Sequence, residues 1–415
     1  MNKALKTLFD RGFVKDCTDL DQLSDLMDQG PVTLYVGVDP TGRSLHIGHI
    51  VPFFAMRHMQ EHGNMPIALA GGGTGLIGDP SGKTEMRKIL PIEEIQENVR
   101  HISAQLGKIV DFSDEPPAGW GRGRVMNNAD WLVGLNYINF LRDIGKYFSV
   151  NKMLTFEGVR QRLERGLSFI EFNYQLLQAY DFYVLNRDTG CRLQMGGADQ
   201  WGNIVAGIDL IHRMDGPQCF GLTFNLIMRA DGKKMGKSEK GAIFLDKTLC
   251  PVYDFYQYWR NVPDEDVIRF MKIFTLLSLD EIAEYEDPKR NINDAKERLA
   301  YEQTKLIHGE EEAERARAAA KSLFSGDGGS REGIPTVEVP AQELKDGLGL
   351  LAAMVRAGFC KSNSEARTIV VQGGAEVNGE KVGDPRRQLT EDDLDDKGEI
   401  MLKAGKKKHC RLCVK

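Results

Sequence analysis

The feature that most constrains this chain is an alternation of strand-like and helix-like stretches between Thr33 and Arg229. Thr33–Asp39 (TLYVGVD) runs into a turn, Pro40–Arg43, and then a helix-like stretch from Leu45 to His62. Pro66–Ala70 (PIALA) ends in the glycine-dense run GGGTGLIGDPSGK. Arg192–Gly196 is followed by a helical Asp199–Asp215, and Leu222–Arg229 closes the series before a lysine-rich loop. Apolar strands alternating with helices predict an α/β fold around a parallel sheet. Pro52 falls inside the first helix-like stretch, where it should kink the helix or cost ~3 kcal/mol. Residues 91–186 read as an insertion, mostly helical, with amphipathic pieces at Arg142–Ser149 and Glu157–Arg165.

Beyond the alternation the pattern changes. From Pro251 to Phe324 it is helical and charged. Ser325–Pro340 (SGDGGSREGIPTVEVP) has linker composition. A compact tail follows from Ala341. The expected domains are therefore 1–238, 239–324 and 341–415, with 325–340 as linker. In the tail, Ala353–Gly358 and Ser364–Gly373 read as short helices, and Ala375–Val382 as a hairpin across Asn378-Gly379.

Composition narrows the class. With 41% hydrophobic and 27% charged residues in 415, the chain can bury a substantial core. No apolar run reaches the ~18 residues of a membrane span, so no membrane partner is expected. Met1–Leu20 has no apolar signal core. The seven cysteines have no framework spacing, which suits a reducing cytoplasm. Cys410 and Cys413 form a lone half-site, so neither a protein-held metal nor zinc is expected. The net charge is −6, with a slightly basic tail on an acidic body, a pattern compatible with a polyanion partner.

Five constellations carry chemistry. In Asp39-Pro-Thr41-Gly-Arg-Ser-Leu-His46-Ile-Gly48-His49 a helix starts at the carboxyl end of a strand, where phosphates bind. Two imidazoles three residues apart can hydrogen-bond phosphate oxygens, and Gly48 leaves room for a flat base. A turn with surface histidines fits the same residues. The run Gly71–Thr84 resembles a phosphate-binding P-loop but fails its spacing, because position 77 is Ile and Gly78 is one residue too close to Gly82-Lys83-Thr84. Its glycines suit close backbone approach to a ligand, with Asp79 facing a cationic group; close packing is the alternative. Tyr174, Gln178 and Asp181 share one helical face after a capping box, Ser168 to Glu171. Their apolar neighbours imply a buried polar stripe, hence a ligand or a satisfied network. In Gly196-Gly197-Ala-Asp199-Gln200, Asp199 suits ribose hydroxyls, or else caps a helix. Lys233-Lys234-Met-Gly236-Lys237-Ser238 is a glycine-flanked loop whose lysines can reach a triphosphate, or lie as solvated surface.

The order of these motifs is specific. His-Ile-Gly-His after the first strand and Lys-Met-Gly-Lys-Ser after the last resemble the two signatures of class I aminoacyl-tRNA synthetases. Gly236 stands where the usual second signature has Ser. Gly75–Lys83, Asn127–Trp131, Phe140–Val150 and Gln175–Phe182 are similar to tyrosyl-tRNA synthetases of the bacterial type. Leu348–Val382 resembles an RNA-binding module of the S-four type. The resemblance implies a Rossmann-like catalytic domain, a helical anticodon-side domain and an RNA-binding tail. It implies a cytoplasmic homodimer that joins L-tyrosine to tRNA(Tyr) using ATP, with Mg2+ accompanying the ATP.

The resemblance also implies roles. Tyr35 and Asp181 would hold the phenol hydroxyl, and Asp79, Tyr174 and Gln178 the ammonium. Gly37, Asp39, Thr41, His46, Gly48, His49 and Gly197 would serve ATP, with Thr41 and His46 on the phosphates. Asp199 and Gln200 would serve the ribose and the reacting carboxylate. Lys83 and Arg87 would face pyrophosphate, and Lys234, Lys237 and Ser238 the leaving group. Three rivals are a tryptophanyl-tRNA synthetase, a nucleotidyltransferase with the same nucleotide site, and a catalytically silent RNA-binding paralogue. Tyr35 with Asp181 argues against the first, since indole offers one donor and no acceptor. The tail argues against the second, and the intact signatures against the third.

Overall fold

The computed structural model describes residues 1–79, 81, 90–164, 166–225, 227–228, 230, 235–238, 241–325, 334–405 and 408–415. They form two compact units: Met1–Gly236 with Pro263–Ala295, and Lys237–Val262 with Lys296–Lys415.

The first unit is built on a six-stranded sheet. Its strands are β1 (Val14–Cys17), β2 (Thr33–Val38), β3 (Met65–Ala70), β4 (Arg124–Asn127), β5 (Cys191–Gly197) and β6 (Phe220–Phe224), in the order β1-β6-β5-β2-β3-β4. All pairs are parallel except β1 with β6. The central strands are buried on both faces: Leu34, Tyr35 and Val36 on β2, and Ile67 to Ala70 on β3. Continuous apolar runs are what a covered parallel strand requires. The edges differ. β1 and β4 are four residues each and carry charge, the pattern that keeps an edge from pairing with another chain.

Several expectations are corrected. The stretch 91–186 is mostly helical as expected, but it is not purely an insertion, since β4 lies inside it and completes the sheet. β6 begins at Phe220 and ends at Phe224, opposite Gly197, the last residue of its neighbour β5. The helix after the first signature does not run from Leu45. A single 3-10 turn, Ile47–His49, comes first, and the α-helix spans Val51–Glu61. Pro52 thus sits in the first helical turn, where its missing N–H has no partner to lose, so the expected kink does not arise.

The helix Phe169–Thr189 matches its sequence signals closely. Ser168 and Glu171 form the reciprocal cap, and Gly190 ends the helix at φ 69°. Glu171 also accepts two hydrogen bonds from Arg162, at 2.8 and 3.0 Å, so the buried charge is paired. Arg11, which follows the helix Lys3–Asp10, is buried as well. Its guanidinium donates to the carbonyls of Lys272 (2.9 Å), Thr275 (3.2 Å) and Leu277 (2.5 Å), tying the N-terminus to the returning segment 263–295.

The second unit holds the helices Val252–Arg260 and Glu310–Ser325, together with Ile292–His308 from Lys296 onward, ahead of the tail. The tail has short helices Leu350–Arg356 and Asn363–Val371 and a five-stranded sheet. Its hairpin turns at Asn378 (φ 51°) and Gly379 (φ 87°), the left-handed pair that an Asn-Gly turn supplies. Thr336–Val339, inside the stretch with linker composition, pairs parallel with Lys408–Val414. Its Thr-Val-Glu-Val alternation is the strand signal the neighbouring glycines obscured. Cys410 is buried on the last strand and Cys413 half-buried.

Candidate active site

After β2 the chain crosses to β3 on one side, whereas β5 lies on the other, so the carboxyl ends of β2 and β5 form a switch point. Ligands bind at such a crevice in open parallel sheets. A cavity of about 410 Å³ opens there, a volume suited to a small-molecule site. Tyr35, Gly37, Asp39, Thr41, Gly48, His49, Asp79, Tyr174, Gln178, Asp181, Gly197, Asp199 and Gln200 all line it.

Tyr35 and Asp181 mark its buried end, 1% and 2% exposed. The Tyr35 ring packs on Phe182 at 5.3 Å between centroids. Its hydroxyl is buried with no hydrogen-bond partner among the described residues. Asp181 accepts from Asn128 Nδ2 (2.9 Å) and Trp131 Nε1 (2.7 Å). Burial pushes the Asp181 carboxyl up to about 7, against the pull of those two donors. Burial, and next the Asp181 charge, lift the Tyr35 phenol well above its usual range. A hydroxyl and a carboxylate so placed can together recognise a group that both donates and accepts.

A second acidic cluster lies in the same cavity. Asp79 accepts from Ser81 N (2.9 Å) and Gln200 Nε2 (2.8 Å). Burial first, and the Asp39 charge second, raise its carboxyl to about 6. Tyr174 donates its hydroxyl to Asp39 Oδ2 at 2.9 Å, while Thr74 Oγ1 donates to Oδ1 at 2.8 Å. Tyr174, expected at the ammonium, is thus bonded to a residue expected at ATP, and the two groups of residues form one network. Gln178 Oε1 accepts from Asn203 Nδ2 at 2.9 Å. Four carboxyl groups around one cavity, Asp39, Asp79, Asp181 and Asp199, favour a cationic guest.

The first signature has a defined geometry. Gly48 N donates to His46 Nδ1 at 3.0 Å, so the neutral ring carries its proton on Nε2, where it can donate to an oxyanion. The two imidazoles stack with centroids 3.5 Å apart; His49 lines the cavity and His46 stands against it without lining it. A Cβ at Gly48 would lie 2.9 Å from His46 Cε1 and 3.0 Å from the Met235 carbonyl. Only glycine fits between the two signatures here.

The glycine run is spent differently from the preferred expectation. A Cβ on Gly71 would lie 2.2 Å from Asp39 Oδ1, and one on Gly72 2.2 Å from Asn127 Oδ1. Close packing, the alternative, accounts for these two. Asp199 is not a helix cap, because Gly197 precedes the 3-10 turn Ala198–Gln200 that contains it. Lys83, Arg87 and Lys234 lie outside the described residues. Lys237 and Ser238 form a two-residue strand, described in backbone alone.

The expectations omitted Asn128, Trp131, Thr74, Ser81, Gln194 and Asn203. Asn128 and Trp131 follow β4, and polar residues after a parallel strand are a recognisable signal once the strand itself is recognised. Gln194 lines the cavity in register with Tyr35 and is buried.

Fold and site together define a class I tRNA synthetase. The family model for class I tRNA synthetases of the tryptophan and tyrosine type matches residues 27–325, so the chain belongs to that family. A second model, the C-terminal domain of tyrosine–tRNA ligases of the SYY-like type, matches 329–412. The tyrosine–tRNA ligase of Treponema denticola is 53% identical over 414 residues, 99% of each chain. That of Borrelia duttonii is 53% identical over 415 residues, covering both chains fully. Among solved structures, a C-terminally truncated mitochondrial tyrosyl-tRNA synthetase of Aspergillus nidulans superposes with a TM-score of 0.68. It is 31% identical, and the match covers 77% of this chain and 94% of the other. Within the family, then, the chain sits with the tyrosine–tRNA ligases.

Proposed function

We propose that this protein activates L-tyrosine with ATP, releasing pyrophosphate, and transfers the tyrosyl group to the 3′ adenosine of tRNA(Tyr). The observation that carries the substrate is the buried pair of Tyr35 and Asp181. A phenol hydroxyl donates to Asp181 and accepts from Tyr35. Phenylalanine would leave the buried Tyr35 hydroxyl unpaired, at about 1–3 kcal/mol, and would give Asp181 no donor beyond Asn128 and Trp131. Tyrosyl-tRNA synthetases are the standard example of rejecting phenylalanine without an editing step, so the size of that discrimination is a known property of the class and not a result of this structure.

Asp79, with Tyr174 and Gln178, holds the ammonium. That directs the carboxylate of tyrosine toward Gln200 and the nucleotide end. There Gly37, Asp39, Thr41, Gly48, His49, Gly197 and Asp199 receive ATP, and His46 donates from Nε2 to a phosphate. The carboxylate is already an anion and attacks the α-phosphorus in line, so no general base is required. Catalysis is positioning plus stabilisation of charge on the transferring phosphate. Lys83, Arg87, Lys234, Lys237 and Ser238 serve the pyrophosphate, a role that rests on their motifs. Mg2+ would neutralise phosphate charge; no cluster of three ligating side chains occurs among the described residues, so the phosphates themselves would hold it.

The first unit supplies the chemistry in this reading, helices within 239–324 face the anticodon side, and the tail that binds RNA includes the strand Thr336–Val339, which shortens the expected 325–340 linker. The chain works as a cytoplasmic homodimer. Support for pairing comes from Val133, Tyr137, Ile138 and Val150, all more than half exposed within one stretch. No helix among the described residues is long and apolar enough to cross a membrane.

Amino-acid-dependent ATP–pyrophosphate exchange, run with each of the twenty amino acids, tests the reading. Exchange with tyrosine alone is the expected result. Exchange with tryptophan would reassign the pocket, and silence from a folded protein would remove the activity.

A further inference from the structure

The helix Val267–Phe274 belongs to the segment that returns to the first unit. With the residue before it, it contacts the helix that follows the first signature and the backbone that precedes the second. Phe274 packs edge-on against Phe54, on the helix that grows out of His49, with centroids 6.1 Å apart. At the other end, Asp266 is 2% exposed and lies just before the helix. Its Oδ2 accepts from Ala230 N at 2.7 Å. Its Oδ1 accepts from Arg269, whose same nitrogen also donates to the Met228 carbonyl, both at 2.5 Å. Met228 and Ala230 shortly precede the lysine-bearing segment. Beyond that segment, Met235 N donates back to Ile227 O at 3.1 Å, and the Met235 carbonyl stands against Gly48.

We infer that Asp266 and Arg269 are positioning residues for the lysine signature: they fix the entry of that segment to the same helix that braces the histidine signature. The inference rests on the proposed activation reaction and adds to it. Neither residue lines the substrate cavity, so neither should contact tyrosine. Their effect should pass through the lysine segment, and so appear where phosphate charge is stabilised. A buried carboxylate that satisfies a backbone N–H and a guanidinium together is a costly arrangement, and it fixes the register of the backbone it holds only while both bonds exist.

The test uses Asp266→Asn, Arg269→Gln and Lys237→Ala in the full chain. Asp266→Asn should lower the turnover of tyrosine-dependent exchange on the order of a hundredfold, as misplacement of a reacting group does. Tyrosine affinity by equilibrium dialysis should not change. In the Lys237→Ala background the same change should add little, since residues acting as one unit are non-additive. A full loss in that background, or a parallel loss of tyrosine affinity, would overturn the inference. If Asp266→Asn does not fold, the half-exposed Arg269→Gln is read in the same way. Trypsin cleavage at Lys233 and Lys234 gives a readout independent of activity. Arg269→Gln should speed it, and unchanged cleavage would count against the clamp even if the wild type showed no exchange. Wild-type silence would instead sink the activation reading.

Discussion

The indole Nε1 of Trp131 stands 2.7 Å from Asp181 Oδ1, and Asn128 holds the other oxygen at 2.9 Å. The carboxylate proposed to recognise the substrate is therefore itself held on two sides. Trp131→Phe keeps an aromatic ring and removes the donor. A hydrogen bond to a charged group contributes about 1.5–3 kcal/mol, so tyrosine affinity should fall roughly 10- to 100-fold. Equilibrium dialysis checks this, and an unchanged affinity would remove Trp131 from the site.

Asp181→Ala should abolish tyrosine activation while the fold persists. Circular dichroism and pyrophosphate exchange measured together distinguish lost chemistry from lost structure. Tyrosine binding at wild-type strength would contradict the role assigned here.

The two raised carboxyls set a pH dependence. Asp181 titrates at about 7 and Asp79 at about 6, both lifted mainly by burial. Each must be ionised to serve a phenol donor or an ammonium. Tyrosine affinity should therefore climb from about pH 5 and level off above about pH 8, with proton release on binding inside that window. The stability of the free protein runs the opposite way. Its native state binds more protons than the unfolded chain between the ordinary carboxylate range and about pH 7, so stability drops as pH rises through that interval. Calorimetry in buffers of different ionisation enthalpy counts the protons. Asp181→Asn should erase the upper step.

Lys237→Ala should depress the rate of adenylate formation by about two orders of magnitude and leave ground-state ATP affinity nearly intact, as for a donor aimed at developing charge. Single-turnover kinetics separate the two quantities. Equal losses in both would mean that the lysine only binds.

Truncation after Ser325 removes the tail that the second family model spans. Adenylate formation should survive and tRNA charging should collapse. Filter binding of tRNA and exchange on the same sample decide it, and loss of exchange would give the tail a structural role.

How much was legible depended on burial. β2 and β3 stood out because Leu34–Val36 and Ile67–Ala70 are covered on both faces and form continuous apolar runs. The helix Phe169–Thr189 stood out because its cap and its polar stripe agree. β1 and β4 did not, since an edge strand of four residues with charges has no period to detect. Missing β4 left Asn128 and Trp131 without a role, although Asn127–Trp131 carried part of the resemblance. Pro52 was misjudged because a 3-10 turn displaced the start of the α-helix by several residues. The Tyr174–Asp39 bond was invisible for a different reason: it joins residues 135 apart in sequence, and only the fold brings them together.

The grip of Arg11 on residues 272–277 also bears on how the chain is made. Donor and acceptors are 261 to 266 positions apart. At ribosomal speeds of ~5–20 residues per second, the guanidinium waits on the order of ten seconds to a minute for its carbonyls to emerge. Until then this buried site cannot close, and the first unit stays incomplete while part of the second has already been synthesised. A nascent chain halted before Lys272 should remain sensitive to protease at its N-terminal helix, and should become resistant only once Leu277 has cleared the exit tunnel.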